Sequence, residues 1–231
     1  MISDAVQKEL DAARKFGEQL DATVTSKNYP TADRNMLLLA YWELVSGFHR
    51  GIHGLIKSEF FASAFALVRP LVESLVRAHV ALKGSDAELQ RLQTDDYRVN
   101  LEKIGPWIDA EFGLEGLMER FLNKRTRDAL HSYTHAGLLQ IGRRFDSGYV
   151  KPRYADGELI EVIRVATSAI FMLTLLVTRH FGFEEDAKNV GGMFEAWGKH
   201  QKSLRAESQG WPYDEALIHN PVDCIFSGPL L

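Results

Sequence analysis

Apolar residues along this chain recur at intervals of three and four almost everywhere, and at intervals of two almost nowhere. That period is the one a helix shows when a single side faces a core. The pattern therefore predicts an all-α fold: an antiparallel multi-helix bundle followed by an extended, partly ordered C-terminal tail.

The elements can be placed from their caps and breaks. A first helix is expected from Ser3 to about Thr23, ending before "SKNYP", where Pro30 stops the chain and Thr31 offers a new cap. A second runs from about Ala32 to Ser58. Its Leu37, Leu38, Tyr41, Leu44, Val45, Phe48, Ile52 and Leu55 form one core-facing stripe. The third, "FFASAFALVRPLVESLVRAHVALK", ends at Gly84, after which Ser85 and Glu88 have the spacing of a capping box for a fourth. Shorter helical pieces fill 95–122, interrupted by "GPW" at 105–107. The next helix is expected from about Leu122 to Leu139.

Beyond it, "GRRFDSGYVKPRYADG" reads as a loop with room for a short extended pair. A long helix from about Glu158 to Phe181 is expected to be capped by Asp156 and stopped at Gly182. Another, from Glu184 to about Glu207, is weakened by Gly191 and Gly192. We read one domain over residues 1–231, with a core at about 3–206. The tail, 207–231, keeps Trp211, Ile218, Ile225 and Phe226 among its prolines and glycines, as a segment draped over the bundle or a partner does.

Two stretches qualify this picture. Gly47, Gly51 and Gly54 recur on the second helix, where each costs about 1 kcal/mol of propensity, so close approach of another helix is expected there. The most apolar run, "VATSAIFMLTLLVT" at 165–178, lies between Arg164 and Arg179 and is shorter than the ~20 residues of a spanning helix, so no membrane partner is expected.

Composition adds bounds. At 231 residues, 45% hydrophobic and 25% charged, the chain can bury a sizeable core. A lone cysteine, Cys224, excludes an internal disulfide, and "MISDAVQKEL" has neither the apolar core of a signal peptide nor the basic bias of a transit peptide; a cytoplasmic location is the expectation. The net charge of -4 speaks against general coating of nucleic acid. Yet seven Lys or Arg stand against two Asp between Lys124 and Arg153, an excess of +5 that can focus a phosphate-bearing ligand.

The chemistry-bearing residues cluster within this frame. In "RTRDALHSYTHAG", Arg127, His131 and His135 follow one another at steps of four, on one helical stripe. Arg69, Glu73 and Arg77 repeat that spacing inside the apolar third helix, next to Pro70, which removes a backbone bond. Charges there must be paired or wet, so they either line a cavity or form an ion-pair seam. His49 and His53, with Glu43 and Arg50 nearby, are a third pair one turn apart; combined with His131 and His135 they make a conceivable four-His metal site. An imidazole can move a proton near neutral pH and a guanidinium can grip phosphate, which suits metal-independent cleavage of RNA as well as plain binding.

An Arg, a short spacer and a His on a late helix of a bundle resemble the HEPN superfamily, many of whose members are metal-independent ribonucleases of bacterial toxin and defence systems. Arg125 and His131 carry this resemblance, with "TRDAL" between them. It implies a composite cleft and hence a homodimer. Thr126 departs from the Asn, Asp or His often found after that Arg, and at about 100° per residue Arg127, rather than Arg125, shares the face of His131. More locally, "FALVRPLVESLVRA", "LHSYTHAGLLQIGRR" and "ADGELIEVI" resemble an uncharacterised bacterial family of helical proteins, over roughly residues 35–180.

Three functional expectations follow. One is a module that binds a nucleotide, another phosphate-bearing ligand or a partner protein through Arg69, Glu73, Arg77, Tyr133, Arg143 and Arg144, without catalysis. Another is a HEPN-like endoribonuclease using Arg125, Arg127, His131 and His135. The last is a metal-binding protein using His49, His53, His131 and His135. Neither of the first two calls for a cofactor.

Overall fold

The computed structural model describes residues 2–112, 116, 119, 122–135, 137, 145–146, 149–150 and 154–207; the side chains at 103–104, 111–112, 125, 145–146, 149–150, 198 and 200–207 are outside that description. Among the described residues there are eight helices. They are α1 (Asp4–Thr25), α2 (Asp33–Lys57), α3 (Phe61–Lys83), α4 (Asp86–Gln93), α5 (Leu101–Phe112), α6 (Lys124–Thr134), α7 (Asp156–His180) and α8 (Glu184–Glu207). A pair of two-residue strands, β1 (Phe145–Asp146) and β2 (Tyr149–Val150), forms the extended pair expected in the loop, in antiparallel register. The all-helical class follows from the sequence as read. The tail from Ser208, with Trp211, Ile218, Ile225 and Phe226, lies outside the described residues, as do Arg143, Arg144 and Leu139.

Helix α7 organises the bundle by packing against α1, α2, α3 and α8. It extends for 25 residues, longer than its apolar run, and by length and composition alone it could cross a membrane. Its surface is instead spent on the protein, since 83% of its most apolar window is buried. Contacts with α2 fall at intervals of seven on α2 and of six and seven on α7, about two helical turns, which keeps them on one face. His180 meets Asn35 at 2.8 Å, the Trp42 indole N–H donates to Thr174 Oγ1 at 3.0 Å, and Thr167 Oγ1 meets His49 Nε2 at 3.4 Å. Rising numbers on one helix meet falling numbers on the other, so the two run antiparallel.

With α1 the order is the reverse. Glu9 receives Arg164 Nε at 3.0 Å and Nη2 at 3.3 Å, and seven residues on in each helix Phe16 packs against Phe171. Helices α1 and α7 are therefore parallel. Phe194 stacks on Phe171 at 3.9 Å and Trp197 on Phe16 at 5.7 Å, which fastens α8 across the pair.

Several expected boundaries move for identifiable reasons. Asp156 is the first residue of α7, not its cap; the cap is Ala155, whose N–H donates to the Glu158 carboxylate at 2.9 Å. "GPW" does not interrupt a helix, because Pro106 removes only the bond to the Glu102 carbonyl while Leu101 and Ile108 bury themselves in the core. Helix α6 ends at Thr134, where the Gly137 N–H turns back to Ser132 O at 2.7 Å, an approach in which a Cβ at 137 would overlap the Ser132 side chain. The α7 stop at Gly182 is as expected: its φ of +71° suits glycine, and Phe183 N–H closes onto Thr178 O at 2.9 Å.

The glycine row on α2 does not mediate a close helix approach. A Cβ on Gly47 or Gly54 would meet nothing within 4 Å, and on Gly51 only Leu67 at van der Waals distance. Leu44, expected in the core stripe, is 41% exposed. Arg34 closes the other end of the α2–α3 pair, donating to the Ala81 and Gly84 carbonyls at 3.0 and 2.9 Å and to Asp86 at 2.7 Å.

The Glu9 side chain is 1% exposed and Arg164 16%, so deleting the acid leaves a nearly buried guanidinium without its counter-charge. Glu9→Ala should lower the unfolding free energy by about 3 kcal/mol or more. The double variant Glu9→Leu/Arg164→Met should recover most of that loss. Urea unfolding at neutral pH checks both; a Glu9→Ala loss below about 1 kcal/mol, the level of an exposed pair, contradicts this account.

Candidate functional site at the α3–α6 seam

Helix α6 begins where Asn123 accepts from Thr126 N–H at 3.0 Å. Thr126, Ala129, Leu130 and Tyr133 then face inward at helical spacing, and all are buried. Tyr133 packs on Phe65 of α3 at 5.0 Å, so its ring serves the core. With that stripe turned inward, His131 and His135 fall on the solvent side, with their rings 4.5 Å apart.

The guanidinium beside His131 comes from another helix. Arg69 of α3 places Nη1 2.8 Å from His131 Nδ1, while its Nε donates to Glu73 Oε1 at 2.7 Å. Pairings of 65 with 133 and 69 with 131 make α3 and α6 antiparallel at this seam. A guanidinium can only donate, so Nδ1 of His131 accepts and a neutral ring carries its proton on Nε2. The other Arg69 N–H groups have no protein partner among the described residues. The seam thus offers hydrogen-bond donors from a guanidinium and an imidazole on facing helices, at a solvent-exposed position.

The remaining candidates are distributed elsewhere. Arg127, although on the stripe of His131, donates to Leu122 O at 2.7 Å and faces Glu102 of α5 at 3.6 Å. Arg77 turns to Asp95 at 3.8 Å. Thr126, which follows Arg125, is fully buried and presents nothing to solvent. Arg125 has its side chain outside the described residues, and so do Arg143 and Arg144.

A four-His metal site is not formed. His49 and His53 line a cavity against α1, His131 and His135 flank α3, and among the described residues no group of three or more His, Cys, Asp or Glu is arranged to hold a metal ion. Spacing alone could not reveal this, since each pair lies on a different helix and helix packing decides whether they meet.

Three buried histidines carry a pH consequence. Burial holds His49 down to about 4, aided by Arg50; burial holds His53 down to about 2, aided by His49; and burial, with Lys83, holds His79 down to about 3. In the unfolded chain such rings titrate near ~6.5, so below that pH the unfolded state takes up protons that the folded state refuses. Stability is thus unaffected above about 6.5 and falls as pH drops from there toward the folded values. Unfolding measured at pH 7.5 and 5.5 should show a loss of about 1 kcal/mol per histidine, and His79→Phe should lessen it by one share. An unchanged slope in that variant contradicts the assignment.

No curated protein and no solved structure matches the chain. A family model does, over residues 42–197, from the middle of α2 to the middle of α8 and including the whole α3–α6 seam. The chain belongs to the family of unknown function DUF6988.

Proposed function

We propose that the protein binds a phosphate-bearing ligand, a nucleotide or an RNA phosphate among them, at the α3–α6 seam, without turning it over. The single observation that carries this is the Arg69–His131 contact at 2.8 Å, held by Glu73 and open to solvent. Once His131 Nδ1 accepts from Arg69, the free edge of the ring is an N–H. The free edge of the guanidinium is N–H as well. Donors of this kind, one of them charged, complement an anion. They do not supply the lone pair that a general base needs. The sequence excess of +5 between Lys124 and Arg153 adds long-range attraction for the same ligands.

A second reading has its own support. If a bound phosphate draws Arg69 away, His131 Nδ1 regains a free lone pair at a solvent-exposed position beside a guanidinium, the arrangement a HEPN-like metal-independent endoribonuclease requires. That reading also needs a homodimer, because the cleft it implies is composite.

Calorimetric titration with pyrophosphate, adenosine monophosphate and a short single-stranded RNA separates the readings. The binding module predicts at least one measurable affinity, weakened about tenfold or more by Arg69→Ala or His131→Ala, the worth of a charge-assisted hydrogen bond. No binding by any probe, or equal affinity in both variants, ends this proposal. Incubation of the protein with mixed RNA in EDTA tests the nuclease. Cleavage lost in His131→Ala, by a species of dimer mass in light scattering, supports it; intact RNA rules it out.

A further inference from the structure

A second site lies on the far side of α2 from this seam's chemistry. Between α1 and α2 is an open cavity of about 300 Å³, and no residue of the α3–α6 seam lines it. The volume is at the small end of ligand pockets. Its floor contains His49 and His53, both buried, with their rings edge to face at 4.0 Å.

The proton on His49 can be located from its neighbour. Thr167 Oγ1 donates to Ile163 O at 2.8 Å, so it can only accept from His49 Nε2, at 3.4 Å. The lone pair then sits on His49 Nδ1, on the side facing Gly17 of α1. Any side chain at position 17 would collide with this ring, so the glycine keeps the imidazole where it is. His53 has no hydrogen-bond partner among the described residues, and its Nε2 is also cut off from solvent. Buried polar atoms in native proteins nearly always have partners, so an orphaned ring among the lining residues is a group that a ligand atom or water in the cavity can partner after a small turn of the side chain.

The charges around the mouth narrow the class of ligand. Asp11, Glu18 and Asp21 oppose Arg14, Arg50 and Lys57, so the lining is neutral overall. Two pairs are already closed, Arg14 with Glu18 at 2.7 Å and Arg50 with Asp21 at 2.8 Å. Asp11 on α1 and Lys57 on α2 are left without an ion partner among the described residues. A simple anion would meet Asp11 unfavourably and a simple cation would meet Lys57 unfavourably. A molecule bearing both charges satisfies both, and Leu10 gives it an apolar wall.

We propose that the α1–α2 cavity binds a small zwitterion, with its ammonium on Asp11, its carboxylate on Lys57 and its body against the histidine floor. Binding is read by calorimetry and by the ring Cε1 resonances of His49 and His53. The probes are the standard amino acids and the ω-amino acids from β-alanine to 6-aminohexanoate, with butyrate and butylamine as single-charge controls. At least one zwitterion should bind about tenfold or more tightly than either control and shift both ring resonances. Asp11→Asn and Lys57→Gln, both exposed and compatible with folding, should each reduce that affinity about tenfold, and His53→Phe should abolish binding while the His131 resonance stays unmoved. Three results overturn the proposal: no zwitterion shifts the rings at millimolar concentration, the controls bind as well as the zwitterions, or the Asp11 and Lys57 variants bind like wild type.

Discussion

The two-turn register between α2 and α7 is the constraint from which the rest of the molecule takes its positions. Asn35, Trp42 and His49 meet His180, Thr174 and Thr167 in order, so three polar side chains of α2 find polar partners on α7. Buried polar groups tolerate little slippage, since a shift of one turn would leave several unpaired at once. An apolar interface alone has no such selectivity. The hydroxyls of α7 thereby specify alignment, and its leucines, isoleucines and valines supply the burial.

From that alignment the two sites follow with different characters. The α3–α6 seam is wet, donor-rich and built from groups already touching one another. The α1–α2 cavity is floored by neutral rings and rimmed by balanced charge. Histidine appears in both, but a different neighbour governs it in each: burial keeps His49 and His53 neutral, whereas Arg69 sets which nitrogen of His131 accepts. Residue type alone says little about what an imidazole does; its neighbours say nearly everything.

Much of the fold was legible from local pattern. Ser3, Ser85 and Gly182 terminate helices as their chemistry requires, and the apolar period located every long helix. The site was legible only as ingredients. His131, Arg69 and Glu73 are visible as helical repeats, but 62 residues separate the two partners of the central contact, and no local rule pairs them. Arg127 shares the helical face of His131, but a helical wheel knows nothing of Glu102 or the Leu122 carbonyl that hold it elsewhere. Gly17 passed unnoticed, since an isolated glycine carries no period; its signal is an imidazole on the facing helix, which only packing supplies. The glycine row on α2 misled for the opposite reason, having a period without a neighbour.

The parallel pairing of α1 with α7 bears on how the chain matures. During synthesis α1 emerges before α7, and its partner Phe171 and the Arg164 that neutralises Glu9 follow some 155 residues later. At roughly 5–20 residues per second, the nascent helix waits on the order of ten seconds or more before Glu9 and Phe16 meet their α7 partners. The α2–α3 hairpin, made of nearby sequence, can close in the interval. Assembly thus has a built-in order, in which the α1–α7 face is among the last to close.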